Sequence, residues 1–188
     1  SLIASITSRG SQAKQSVAID GEKTVAALPR RSADEWDRQI WSLIESGKSA
    51  EAIDQYTLAI AEHPDNVALR VNASTFLRDH GHPNEAMVHL ERAVEIDPNL
   101  VEGWYNLGLL LADLQWPMEA MDAFDQVIGI ATKKKSHQNL LHYAVIAKGL
   151  QLQKTGQYLE ARNFLKNSAV MYPDIAEVCE QNALFTWI

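Results

Sequence analysis

A step of 34 residues runs through the middle of this 188-residue chain, and no other feature constrains its fold as tightly. Pro64 and Pro98 stand one step apart, as do Gly47 and Gly81, and Ala59 and Ala93. Ala52, Ala86 and Ala120 carry the step through three copies, and so do Leu43, Leu77 and Leu111. Trp36, Arg70 and Trp104 share one phase; Tyr56, Leu90 and Phe124 share another. The third copy departs twice, with Gln115 where the glycine is due and Thr132 where the proline is due. A fourth copy follows seven residues late, in Gly149, Leu152, Gly156, Ala161, Leu165 and Pro173. A unit of this length cannot bury its apolar stripe alone, so neighbouring copies must stack into an array.

The pattern inside a unit is that of a helical hairpin. Ser32 and Glu35 have the spacing of a capping box. Trp36, Ile40, Leu43 and Ile44 follow at helical spacing, and Gly47 supplies the left-handed residue that ends a helix. A second helix is predicted from about Ser49 to Glu62, with Ala52, Ile53, Tyr56 and Ile60 on one face and Pro64 as its stop. The units are then 33–66, 67–100, 101–134 and 142–175, with 135–141 inserted. Seven residues make about two helical turns, so the insertion nearly preserves the buried face. The first helix of the fourth unit is therefore expected to be long, from about Ser136 to Lys154. The run Lys133, Lys134 and Lys135 then ends the preceding helix, where cations suit the helix dipole. It reads as a solvated helix end before it reads as a site for an anionic partner.

These markers resemble the tetratricopeptide repeat. The third unit is most similar to it, with Trp104, Leu107, Gly108, Leu111, Ala120 and Phe124 at the family's marker positions. The resemblance covers about three quarters of the chain, and the regular period sets it apart from an arbitrary helical bundle. It implies an all-α fold, a right-handed superhelical array of antiparallel helix hairpins (an α-solenoid). The four units occupy 32–175.

The two ends differ from the array. Residues 1–31 form an arm rich in Ser, Ala, Lys and Gln with no firm period. Asp174 and Glu177 open a capping helix over 174–188, with Ile175, Val178, Asn182, Phe185 and Ile188 on one face. Its last five residues are apolar enough to form a contact surface. A start at Ser1 instead of Met reads as a processed product or a fragment.

Charge narrows the function classes. Lys and Arg number 17 against 24 Asp and Glu, a net charge of −7 with a pI near 5.3. That field opposes nucleic acid and anionic membrane as general partners. No run approaches the ~18 apolar residues of a membrane span. The single cysteine, Cys179, excludes an internal disulfide framework and reads as a buried structural thiol. Charge and cysteine usage allow cytoplasm, periplasm or an organelle, with cytoplasm as the working expectation. His82, Glu85 and His89 could share a helix face near His80, but they fall on a turn and an outer helix. No metal site, cofactor or catalytic residue is expected, since no phosphate-cradling loop or nucleophile elbow is present either. The chain reads as non-catalytic.

The resemblance places function in the concave groove lined by the first helix of each hairpin. By phase the groove positions are Asp34, Asp37, Arg38, Trp41 and Glu45; Ala68, Val71, Asn72, Thr75 and Asp79; Glu102, Tyr105, Asn106, Leu109 and Asp113; and Tyr143, Ile146, Ala147, Leu150 and Lys154. The residues expected to bind a partner are Arg38, Trp41, Val71, Asn72, Thr75, Tyr105, Asn106, Leu109, Tyr143 and Ile146. Asn72 and Asn106 share one phase, and an amide offers both donor and acceptor to a peptide backbone. This is similar to the asparagine ladder of the O-linked N-acetylglucosamine transferases, shortened to two rungs. The basic clamp that holds acidic chaperone tails does not match: its phases carry Asp37, Trp41, Asn72, Glu102 and Asn106. The expected function is a protein-interaction adaptor that takes a peptide or helical segment in its groove. Two alternatives remain: a module that self-assembles through its arm or apolar C-terminus, and a regulatory or anchoring domain of a larger complex. Residues 1–30 are expected to occupy or flank the groove.

Overall fold

The computed structural model describes residues 31–134 and 137–174. The arm 1–30, Cys179 and all but the first residue of the expected capping helix lie outside them. Eight α-helices and no strand occur among the described residues. They are α1 (Ala33–Glu45), α2 (Ser49–Glu62), α3 (Val67–Asp79), α4 (Pro83–Ile96), α5 (Val101–Asp113), α6 (Pro117–Lys134), α7 (Gln138–Lys154) and α8 (Tyr158–Met171). The chain divides into two compact units, 1–69 and 70–188, and the division falls inside α3.

In the first unit the expected capping box is present. Glu35 N–H donates to Ser32 Oγ at 3.3 Å, and Ser32 N–H donates to Glu35 Oε2 at 2.8 Å. Ser32 N–H and, at 3.1 Å, the Ser32 hydroxyl both donate to the Glu35 carboxylate, and they hold its pKa below the usual range. Three residues then join α1 to α2, with Gly47 at φ 71° and Lys48 N–H bonded to Leu43 O at 2.9 Å. Only a residue without Cβ adopts that turn freely. Trp36 and Ile40 face Ala52, Tyr56, Ala59 and Ile60 in the buried set of the hairpin. Trp36 Nε1 donates to Glu62 Oε2 at 2.9 Å, satisfying a buried ring N–H. Arg31 is held at the entrance: its guanidinium lies 4.6 Å from the Trp36 ring, and His63 Nε2 donates to its carbonyl at 2.6 Å.

In the second unit α5, α6, α7 and α8 pack in chain order, and α5 also touches α7. Gly108 explains the closeness of α5 and α6. A Cβ there would stand 2.5 Å from the Phe124 ring, which is fully buried. Gly149 serves α7 and α8 alike, against Leu165 at 2.8 Å. The added length around the insertion is shared between two helices. α6 has 18 residues against 14 in α2 and α4, and α7 has 17 against 13 in α1, α3 and α5. α6 runs on because Thr132, in place of proline, keeps the ladder and donates from Oγ1 to Ile128 O. Lys133 and Lys134 lie in its last turn. No helix among the described residues is long and apolar enough to cross a membrane.

Candidate functional site

The expected partner-binding residues fall into two separate sets. Arg38 and Trp41 belong to α1 in the first unit. Arg38 Nε donates to Asp34 O at 3.2 Å, so the guanidinium lies along its own helix. Trp41 is 56% exposed, far above the norm for a tryptophan in a packed hairpin. Asp37 Oδ1 is buried without a hydrogen-bond partner, and its charge acts on the buried Tyr56 hydroxyl.

The other eight residues lie on α3, α5 and α7 of the second unit. Tyr105 and Tyr143 are brought together, ring centroids 6.4 Å apart at 37°. Tyr105 rests in turn on Phe124 at 6.2 Å. Three rings thus run from the fully buried Phe124 through half-buried Tyr105 to Tyr143, which is 53% exposed. Centroid spacings of 4.5–7 Å with tilted planes are the favourable range for aromatic pairs. Burial first, then Tyr143, raises the Tyr105 pKa, while Arg78 acts against them. Both effects keep the phenol neutral, a hydrogen-bonding group with an apolar face.

Asn72 and Asn106 are half-buried, and neither amide is hydrogen-bonded to another described residue. Each amide keeps its donors and acceptor for a ligand or water. Thr75 is different, because its Oγ1 donates to Val71 O at 3.1 Å. Its proton is spent on the helix, as is common for threonine within a helix. Val71, Leu109 and Ile146 are half-buried. Ile146 also packs on the cluster of Ala131, Leu141, Val145 and Leu165, so it serves the core as much as the surface.

Three contributors were not among the expected partner-binding residues. Arg78, in the last turn of α3, acts electrostatically on Tyr105. It is itself bonded to Asp79 Oδ1 through Nε and Nη2 at 3.1 and 3.0 Å. Leu150 and Lys154 shared the groove phase, yet only the structure displays them as an exposed continuation of Tyr143. The histidine cluster is not gathered. His80 turns its ring onto Phe76, 4.0 Å between centroids, while His82 Nδ1 pairs with Glu85 Oε1 at 3.0 Å. His89 is half-buried; burial first, and Arg70 second, lower its pKa. No group of three or more His, Cys, Asp or Glu able to hold a metal occurs among the described residues.

Two family models match parts of this array. One described as TPR repeat matches 77–115, and one described as tetratricopeptide repeat matches 101–134. No curated protein matches the chain. Among solved structures it is similar to MamA MSR-1, at 17% identity and TM-score 0.61, over 78% of each chain. MamA AMB-1 is similar at 18% identity and TM-score 0.62, over 78% of this chain and 80% of that one. YrrB, described as a TPR protein with an unusual peptide-binding site, is 22% identical with a TM-score of 0.61. It covers 80% of this chain and 75% of its own. At these identities the likeness shows the fold, an array of helical repeats.

Proposed function

We propose that this chain, which matches tetratricopeptide-repeat models over 77–134, acts as a non-catalytic adaptor that grips a partner's peptide segment on α3, α5 and α7. A repeat array of this kind is a protein-interaction scaffold; the peptide mode is the finer reading. The observation that carries it is the pair of uncommitted amides, Asn72 and Asn106, half-buried at equivalent positions of successive repeats. Two amides one repeat apart suit a ligand that repeats too, and a peptide backbone does so whatever its sequence. The tyrosine rings add apolar contact area with few rotamers to immobilise. YrrB, a structural neighbour, is described as having a peptide-binding site, which supports the same mode here. The test is a pull-down from lysate with the chain and with Asn72→Ala/Asn106→Ala. A protein retained by the first and lost from the second is expected. Equal retention, with helicity preserved, would move the binding site elsewhere. Each lost hydrogen bond should cost about 0.5–1.5 kcal/mol.

A further inference from the structure

The second helix of each hairpin carries a glutamate in its first turn: Glu51, Glu85, Glu119 and Glu160. A carboxylate there suits the helix dipole, so its recurrence alone needs no ligand. The pairing is what changes along the chain. In the first two hairpins the residue three positions earlier stands beside the glutamate. Lys48 Nζ lies 3.1 Å from Glu51 Oε1, and His82 Nδ1 lies 3.0 Å from Glu85 Oε1, an ion pair when the ring is protonated. Glu119 in the third hairpin has a partner as well. In the fourth hairpin that earlier place is held by Gln157, whose side chain makes no cap bond. Glu160 there is exposed and has no partner among the described residues. The cations of α8 are turned away from it. At ~100° per residue, Arg162 and Lys166 stand about 160° and 120° around the helix from Glu160.

An open depression of about 510 Å³ lies beside this carboxylate, lined by residues 156–160, Asn163 and Phe164. Tyr158 and Leu159 are 69% and 71% exposed, and Phe164 is half-buried. These three stand where the first hairpin has Ser49, Ala50 and Gln55. Phe164 is backed by Met121, Leu152 and Ala161. Lys148 Nζ lies 5.0 Å from the Phe164 ring, but it donates to Asp125 Oδ1 and Oδ2 at 2.7 and 2.6 Å, so it is already committed.

We propose that this depression binds an arginine side chain of a partner protein, with the guanidinium on Glu160 and the aliphatic stem on Leu159 and Phe164. Charge complementarity selects a cation, because the lining holds one carboxylate and no positive group. The neighbouring acceptors select arginine. Gln157 and Asn163 add amide oxygens that no described residue uses. A guanidinium spreads five donors over a plane, whereas an ammonium gathers three at a point. That plane also stacks on an aromatic face, which Tyr158 supplies. The site lies on the second helix of its hairpin and includes neither Asn72 nor Asn106. It is therefore a second contact surface, beyond the groove of the adaptor reading.

The test is an NMR titration of the isotope-labelled full chain with N-acetyl-leucyl-arginine amide. A second titration uses the same dipeptide with citrulline, the uncharged isostere of arginine. The arginine peptide should shift amide signals between Gly156 and Phe164. It should bind about fivefold more tightly than the citrulline peptide, as for one exposed charge pair. Glu160→Gln should bring the two peptides to the same affinity, and Leu159→Ser should weaken both about threefold. Glu51→Gln, whose carboxylate already has Lys48, should change neither. Circular dichroism checks that each variant stays helical. Asn72→Ala/Asn106→Ala should leave the arginine peptide's affinity unchanged. If that pair weakens it and Glu160→Gln does not, the peptide sits in the groove, and the adaptor reading stands while the α8 site falls. If the peptide depends on Glu160 while the asparagine variant still retains every lysate partner, the α8 site stands and the amide grip falls. Equal affinity of the arginine and citrulline peptides overturns the proposal, as does the absence of shifts between Gly156 and Phe164 at millimolar peptide.

Discussion

Single residues in this array are judged by what touches them, and two glycines show the contrast. Gly108 and Gly129 both sit inside helices, where alanine is intrinsically better by about 1 kcal/mol. At Gly108 a Cβ meets three atoms of the Phe124 ring at 2.5, 2.8 and 3.0 Å, and that ring is fully buried. Gly108→Ala should therefore destabilise by about 1–3 kcal/mol in a thermal melt, overriding propensity. At Gly129 nothing lies within 4 Å of the added carbon. Gly129→Ala should stabilise by about 0.5–1 kcal/mol. Tyr56 offers a prediction in pH. Burial first, and the Asp37 charge second, push its pKa from 10.0 up to about 12. The unfolded chain releases this proton near pH 10 and the folded chain near 12. Its contribution is therefore complete below pH 10 and drains away as pH rises towards 12. The loss is roughly 2–3 kcal/mol by linkage. Denaturant titrations at pH 9 and pH 12 should show a fall that Tyr56→Phe reduces.

At the scale of elements, the turns and caps carry the repeat's punctuation. Gly47, Gly81 and Gly156 take φ of 71°, 83° and 78° between the paired helices. Gln115 stands at the same place in the third hairpin and takes φ of 62°, although it carries a Cβ. The tertiary frame imposes the turn there against the residue's preference. Gln115→Gly should relieve about 1 kcal/mol of that strain and raise the melting temperature. The start of α1 depends on Ser32, which is both N-cap and half of the capping box. Ser32→Ala should cost about 1 kcal/mol, read as earlier fraying of the first hairpin in hydrogen exchange. The long helices have a local cause as well. The repeat's proline is replaced at Thr132, so nothing stops α6 before Lys134. The Thr132 hydroxyl also meets the Tyr172 hydroxyl at 2.8 Å, tying α6 to the end of α8.

For the whole molecule, a net charge of −7 on 21.0 kDa favours a chain that stays apart from copies of itself at low salt. An adaptor should scatter light as a 21.0 kDa particle, independent of concentration. A mass that grows with concentration would transfer the function to self-assembly. Much of this architecture could be read from the chain. The helices, the covered positions Trp36, Ile40, Tyr56, Leu107 and Phe124, and the turn glycines follow from contacts three or four residues apart and from a fixed period. Those are local or repeated relations, which a sequence displays directly. The surface was legible only as a set of phases. Which positions in it are open depends on what other helices leave uncovered, and on hydrogen bonds made elsewhere. Thr75 spends its proton on Val71, Ile146 is shared with the core, and Tyr105 meets Tyr143 across 38 residues of chain. The order of residues therefore determined the all-helical repeat and its core. Only the tertiary structure decided that two asparagine amides stay uncommitted and that Glu160 has no cation beside it among the described residues. Exposure and pairing are properties of neighbours brought together by folding, not of any segment alone.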